Sequence, residues 1–316
     1  MDAIEIFKKI IGEKLRPLVI KYDPYKDVFI TYPYRHVFDD DFEQNFSDIM
    51  FDSIVFYAYD KDEIENDYRQ SRLNNLRKAS RRAYEDRVPK TEKLADGLLG
   101  ELTLDSFIKL FFPNIEMLYS RVKYLPRYPH KEEVIKESGQ EVKGFDGMLF
   151  SIEENQKYFW LGQVKTGGWQ YCLDDIKKDI NKSLIKYYFG DAIAILCDVM
   201  RSVNSTSKEL NTIINNINNI IFDSNDRQDR VKNIINYFKD NNIKTRIPCL
   251  IMPNEENYIN EEVLLKIVKN KLNNAFKDFC IKNEENIDVE ILLLVFPIRN
   301  LSKVRQNFLE VRRNGR

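Results

Sequence analysis

Histidine is almost missing from this chain: there are two, His36 and His130, in 316 residues. Both stand beside proline or basic residues and are expected in loops, which counts against a histidine general base and a His-rich metal hydrolase. Cysteine is nearly as scarce. Cys172, Cys197, Cys249 and Cys280 form no CxxC pair, so neither a zinc ribbon nor a disulfide framework fits, and they are expected as small buried side chains in a reducing compartment. Neither sign of charge prevails: 49 Lys+Arg face 50 Asp+Glu for a net charge of −1, unlike a histone-like or polybasic protein. The longest apolar run, residues 291–298, falls far short of the roughly 18–20 residues that span a bilayer. The start, Met-Asp-Ala-Ile-Glu, is acidic where a signal peptide is basic and then apolar. The expectation is a cytoplasmic protein with no membrane contact. Its chemistry, if any, must rest on carboxylates, amides and lysines.

What is present suffices for a core. Apolar residues make up 43% and aromatics 12%, against global disorder, and a prior of roughly 150 residues per domain gives one large domain or two. Ile4, Phe7, Ile10 and Ile11 share one face of a helix over residues 3–14. Residues 28–34 read as a strand, 42–59 are apolar-rich without an assignable period, and 62–87 are charged and helical. The last stretch holds Arg69, Arg72, Arg77, Lys78, Arg81 and Arg82, either a solvated helix face or a surface for nucleic acid or a partner. From residue 89 the pattern is regular. A helix over 90–112 stops at Pro113; strands over 117–124, 145–153 and 157–166, a helix over 169–188 and a strand over 192–199 follow. Downstream lie one or two helices in 204–238, strands over 244–252 and 289–296, and a helix over 261–280 between those strands. This alternation predicts an α/β protein whose main domain, 89–316, begins α-β-β-β-α-β, with 1–88 as an additional N-terminal region that contacts partner or DNA.

The informative segment is 141–168, EVKGFDGMLFSIEENQKYFWLGQVKTGG. Asp146 stands between Gly144 and Gly147, which let a backbone or ligand approach its carboxylate. Residues two apart on a strand share a face, so Gln163 and Lys165 are neighbours and Val164 points away. A hairpin tip near residue 155 puts Asp146 roughly opposite Gln163 and Lys165. On the preceding helix, Leu94, Leu98, Glu101, Leu104 or Asp105, and Ile108 recur at helical spacing, placing Glu101 on the face expected to meet the sheet. A buried carboxylate needs a partner, a hydrogen-bond set or a metal. Gly97 and Gly100 each cost about 1 kcal/mol in a helix interior, tolerable where the helix must approach the sheet closely. Oxygen donors from Glu101, Asp146 and Gln163, with the Val164 carbonyl as a further candidate, suit the hard cation Mg2+ (or Mn2+). Lys165 beside it would help to deprotonate or orient a water for attack on a phosphodiester. The same residues equally permit a buried Asp–Lys ion pair with a capping glutamine.

The order helix glutamate, GFDG on a strand and (E/Q)xK on the next resembles the PD-(D/E)xK nuclease superfamily. More closely, GELTL, EVKGFDGMLF and WLGQVKTG look like the HamA family, the nuclease subunits of bacterial Hachiman antiphage defence systems; the likeness covers residues 94–194 and not 1–88. The resemblance implies a PD-(D/E)xK nuclease-like core, a mixed central sheet flanked by helices, and a metal-dependent DNA endonuclease. By motif, Glu101 matches the helix glutamate, Asp146 the metal-binding aspartate and Lys165 the catalytic lysine. Gln163 stands where an acid is expected, a QxK variant that also occurs among Mrr-like nucleases. The resemblance further implies DNA as substrate and a separate, HamB-like helicase subunit that restrains the nuclease until triggered. This chain has no GxxxxGK[ST] loop and is not itself the motor. Lys178, Lys182 and Lys186 recur at i+4 and would line a DNA backbone or form a solvated face. The competing expectation is a catalytically silent DNA-binding or scaffold subunit that keeps the nuclease fold, and Gln163 is the residue on which the two divide.

Overall fold

Aliphatic runs form the parallel centre of the sheet. In the computed structural model, which describes residues 1–59, 61–88, 94–112, 116–118, 147–184, 208–256 and 260–314, these are β6 (Gln156–Gly167), β7 (Ile243–Pro253) and β8 (Val289–Val295). Pairing is parallel from β6 to β7 and from β7 to β8. β7 is buried almost end to end, the pattern of a parallel strand covered on both faces. β5 (Gly147–Glu153) joins β6 as an antiparallel hairpin in register from Glu153↔Gln156 to Gly147↔Gly162. Glu154 and Asn155 make its turn with φ of 48° and 69°, the left-handed pair that suits a two-residue loop. β4 (Glu116–Leu118) pairs antiparallel with β5.

The far side of the sheet comes from the N-terminal residues. β3 (Ile30–His36) pairs parallel with β8, and β1 (Val19–Lys21) and β2 (Tyr25–Lys26) pair antiparallel with β3. Among the described residues the order is β1-β3-β8-β7-β6-β5-β4, with β2 also on β3. The fold is a mixed α/β sheet flanked by helices, as expected. Residues 1–88 share its sheet and its core.

The first helical stretch, α1 (Ala3–Phe7), runs through a π-turn (Lys8–Gly12) into α2 (Glu13–Leu15). Its buried side holds Ala3, Ile6, Phe7, Ile11 and Leu15, whereas Ile4 and Ile10 of the expected face are half-buried. Residues 42–59 become α3 (Phe42–Asp52) and α4 (Ile54–Ala58). Every residue from 49 to 59 is buried. A helix without a polar face leaves no period to read. The charged stretch forms α5 (Lys61–Arg69) and α6 (Leu76–Arg87) around a 3-10 turn, Arg72–Asn75. These helices, α7 (Leu94–Phe111) and α12 (Leu301–Asn314) share one cluster with Trp160, Val164, Leu250, Met252, Leu292 and Leu294 of the sheet. Against the opposite face pack α8 (Trp169–Ser183) and α11 (Glu261–Phe276), with Cys249, Ile251 and Leu293, and α9 (Lys208–Asp223) and α10 (Arg227–Asp240), with Phe159 and Leu161.

Several expectations need correcting or fall elsewhere. His36 is a buried strand-end residue, not a loop histidine, and Cys280 is exposed while Cys172 and Cys249 are buried. The sequence pattern assigned no helix to residues 301–314, where α12 lies. The expected strand over 192–199, most of that over 117–124, Pro113, His130, Lys186, Cys197 and Asp146 lie outside the described residues. No described helix is long and apolar enough to cross a membrane.

Candidate functional site

α7 presses on β6 at one glycine. A Cβ on Gly100 would lie 2.9 Å from Val164 Cγ2 and 3.0 Å from Thr166 Cγ2, so only glycine permits this approach without a shift. Gly97 does not share the reason, since nothing lies within 4 Å of its would-be Cβ. Next to Gly100, Glu101 is 5% exposed, and the buried Tyr57 hydroxyl of α4 donates to its Oε2. The same side of α7 continues with Asp105 and Lys109: Lys109 Nζ donates to Asp105 Oδ2 at 2.6 Å and to the Phe56 carbonyl at 3.1 Å. Glu101 therefore begins a polar stripe at i, i+4 and i+8 that is tied to α4.

Val164 and Thr166 face α7, so Gln163 and Lys165 point to the other face of β6. Their partners in register agree: Gln163 pairs with Cys249 and Lys165 with Ile251, both in the cluster under α8. Gln163 is 5% exposed. Lys165 Nζ lies 2.7 Å from Asp179 Oδ2 of α8. Lys165 also helps to hold the Asp175 carboxyl below its ordinary range, after the larger effect of the hydrogen bond from Lys178. Burial pushes the neighbouring Cys172 thiol up to about 12 against the charges of Arg305 and Lys165. Cys172 is thus protonated at neutral pH and is no nucleophile.

The end of β6 is tied down by groups that the sequence pattern did not single out. Arg305 of α12 donates through Nη2 to the Thr166 carbonyl at 3.1 Å and to Thr166 Oγ1 at 2.7 Å. The Gly167 carbonyl accepts from the Asn254 backbone at 2.8 Å, and Gly167 adopts φ of 145°. Trp169 Nε1 donates to Glu255 Oε2 at 2.9 Å, fastening the start of α8 to the loop after β7. Tyr57, Asp179 and Arg305 carry no motif; Tyr57 and Arg305 are also far from β6 along the chain, and Asp179 is one of several acids on the next helix.

Of the expected residues, Gln163 and Lys165 share one face of β6, while on α7, over the opposite face, Gly100 meets the strand and Glu101 accepts from Tyr57 of α4. Asp146 lies outside the described residues. Among the described residues no group of three or more His, Cys, Asp or Glu is arranged to hold a metal ion. The basic stretch is largely balanced locally: Arg72 pairs with Asp67 at 2.8 Å, and Arg77 with Asp48 at 2.9 Å and Asp52 at 2.6 Å. Lys178 pairs with Asp175 at 3.0 Å.

Comparison with known proteins adds one finding. No curated protein matches the chain. The HamA family, however, matches residues 7–311, so the likeness takes in the N-terminal strands and α12 as well as the segment around Lys165. The chain belongs to the HamA family, proteins of Hachiman antiphage defence.

Proposed function

We propose that this protein is a metal-dependent DNA endonuclease of the PD-(D/E)xK type, the effector subunit of a defence complex with a helicase. The observation that carries the reading is the close approach of α7 to β6 at Gly100, which sets the Glu101 turn against the strand bearing Gln163 and Lys165. Asp146 precedes Gly147 in the chain, and Gly147 pairs with Gly162, the residue before Gln163. Glu101 comes from one face of β6 and Gln163 from the other.

The donor set suits a hard cation: two carboxylates, Glu101 and Asp146, and the Gln163 amide oxygen, all oxygen ligands for Mg2+ or Mn2+. Bound there, the ion would supply positive charge at the scissile phosphate. Lys165 would stabilise the charge that develops on the phosphate oxygens and orient the attacking water. Tyr57 donates to Glu101, the kind of outer support that ligands of this type need. With no phosphate-binding loop of its own, the chain leaves ATP-driven work to its helicase partner.

The test is plasmid cleavage by the purified complex with Mg2+ or Mn2+. Asp146→Ala and Lys165→Ala are expected to abolish cutting while melting temperature and helicase binding stay close to wild type. Wild-type cutting by either variant overturns the site assignment. A second reading, a scaffold that has lost its chemistry, draws on the neutral Gln163. It stands if the wild-type complex cuts no DNA with either metal.

A further inference from the structure

We infer that Asp179 is a positioning residue for Lys165, supplying from α8 the negative charge that position 163 does not supply from β6. The inference rests on the nuclease reading and names a further member of the same site. On a strand the residue two before a lysine lies beside it on the same face. An acid there would pair with the ammonium and hold its direction. Gln163, a neutral amide, offers no such charge. The carboxylate beside Lys165 instead arrives from the neighbouring helix, with Asp179 Oδ2 at 2.7 Å from Nζ.

Three observations separate this pair from an ordinary surface contact. Both side chains are mostly shielded, 21% exposed for Lys165 and 22% for Asp179, whereas Lys178 in the nearby pair with Asp175 is 74% exposed. A shielded pair is less screened by water and salt than a surface one. The helix is also held rigidly: Cys172, Ile176 and Ile180 are fully buried against the sheet, and Asn181 Oδ1 accepts from the Lys282 backbone at 2.8 Å. Finally, Asp175 is one turn from Asp179 and feels Lys165, but its first partner is Lys178, whereas Asp179 touches the ammonium directly. Among the described residues, the titratable and charged groups around the pair include Asp175, Cys172 and Lys178 of α8, with Arg305 of α12 at the adjoining Thr166. An ammonium has three donors, so a carboxylate partner and a phosphate are compatible on one lysine.

The experiment compares wild type, Asp179→Asn, Gln163→Glu/Asp179→Asn and Lys165→Ala, each in complex with the helicase. Two readouts are taken: plasmid cleavage, with kcat and KM separated, and melting temperature. Asp179→Asn should lower kcat by roughly ten- to a hundredfold with little change in KM for DNA. Gln163→Glu in the same chain should restore kcat, since it returns a carboxylate to the ammonium from the strand side. A structural role alone would lower the melting temperature and leave kcat without rescue by the glutamate. The inference is overturned by an Asp179→Asn variant with wild-type kcat, or by a double variant that does not restore it. If Lys165→Ala is inactive while Asp179→Asn is wild type, only this inference falls. If Lys165→Ala cuts normally, the nuclease reading falls with it.

Discussion

His36 shows what burial does to a single titratable side chain. Its Nδ1 donates to the Val37 carbonyl at 2.7 Å, its Nε2 accepts from the Arg299 backbone at 3.3 Å, and the ring stacks on Phe42 at 4.3 Å. Both nitrogens are thus committed as a neutral ring. Burial pulls its pKa down to about 4 from the ordinary 6.5, against the opposing hydrogen bond to Val37. Because the folded-state value lies below the unfolded one, the stability it contributes is present above pH 6.5 and is lost as pH falls towards 4. The loss is on the order of 3 kcal/mol. Denaturant unfolding at about pH 7, 5 and 4, which brackets that window, should therefore show wild type losing more stability than His36→Gln; parallel curves would contradict it. At position 163 the prediction concerns charge instead. Gln163→Glu adds an oxygen ligand of full charge, so Mg2+ or Mn2+ should raise the melting temperature of this variant more than that of wild type. If the variant melts lower and gains nothing from either metal, position 163 is not a ligand.

At the scale of elements, the contact of α7 with β6 can be tested through two glycines on one helix. Gly100→Ala forces a methyl against Val164 and Thr166 and should cost about 1–3 kcal/mol, as overpacking does. Gly97→Ala meets nothing within 4 Å and is exposed, so it should be neutral or stabilise by about 0.5–1 kcal/mol. Thermal unfolding of both variants checks the pair. Equal effects would mean that the helix does not approach the strand at Gly100. The sequence marks both glycines as costly in a helix and does not say which one meets the sheet. That depends on the rotation of α7 about its axis, which Trp160, Val164 and the N-terminal helices set together.

For the whole molecule, the consequence is that residues 1–88 cannot be removed. β3 runs beside β8, and the cluster under that face joins Phe46, Met50 and Phe56 from the N-terminal helices to Phe107, Leu294 and Phe308. Deleting 1–88 exposes this apolar surface and the edge of β8 together, an open invitation to aggregation. Residues 89–316 alone should be insoluble or unfold without a cooperative transition. A soluble fragment with a sharp melt would show that the core is divisible.

Local chemistry in the chain was enough to define strands over 244–252 and 289–296, the hairpin turning near residue 155, and the shared face of Gln163 and Lys165. The strands follow from short continuous apolar runs, the hairpin from its turn residues and the shared face from the period of two. α4 and the end of α3 were illegible because complete burial of residues 49–59 erases the polar face that reveals a period. Tertiary structure alone decided that Glu101 meets the hydroxyl of Tyr57, that Lys165 meets Asp179, and that Arg305 reaches Thr166. Two of these pairs join segments far apart in the chain and the third depends on how α8 is rotated over β6, all set by the packing of two helical layers on one sheet, and no local pattern encodes which helix face lies over which strand.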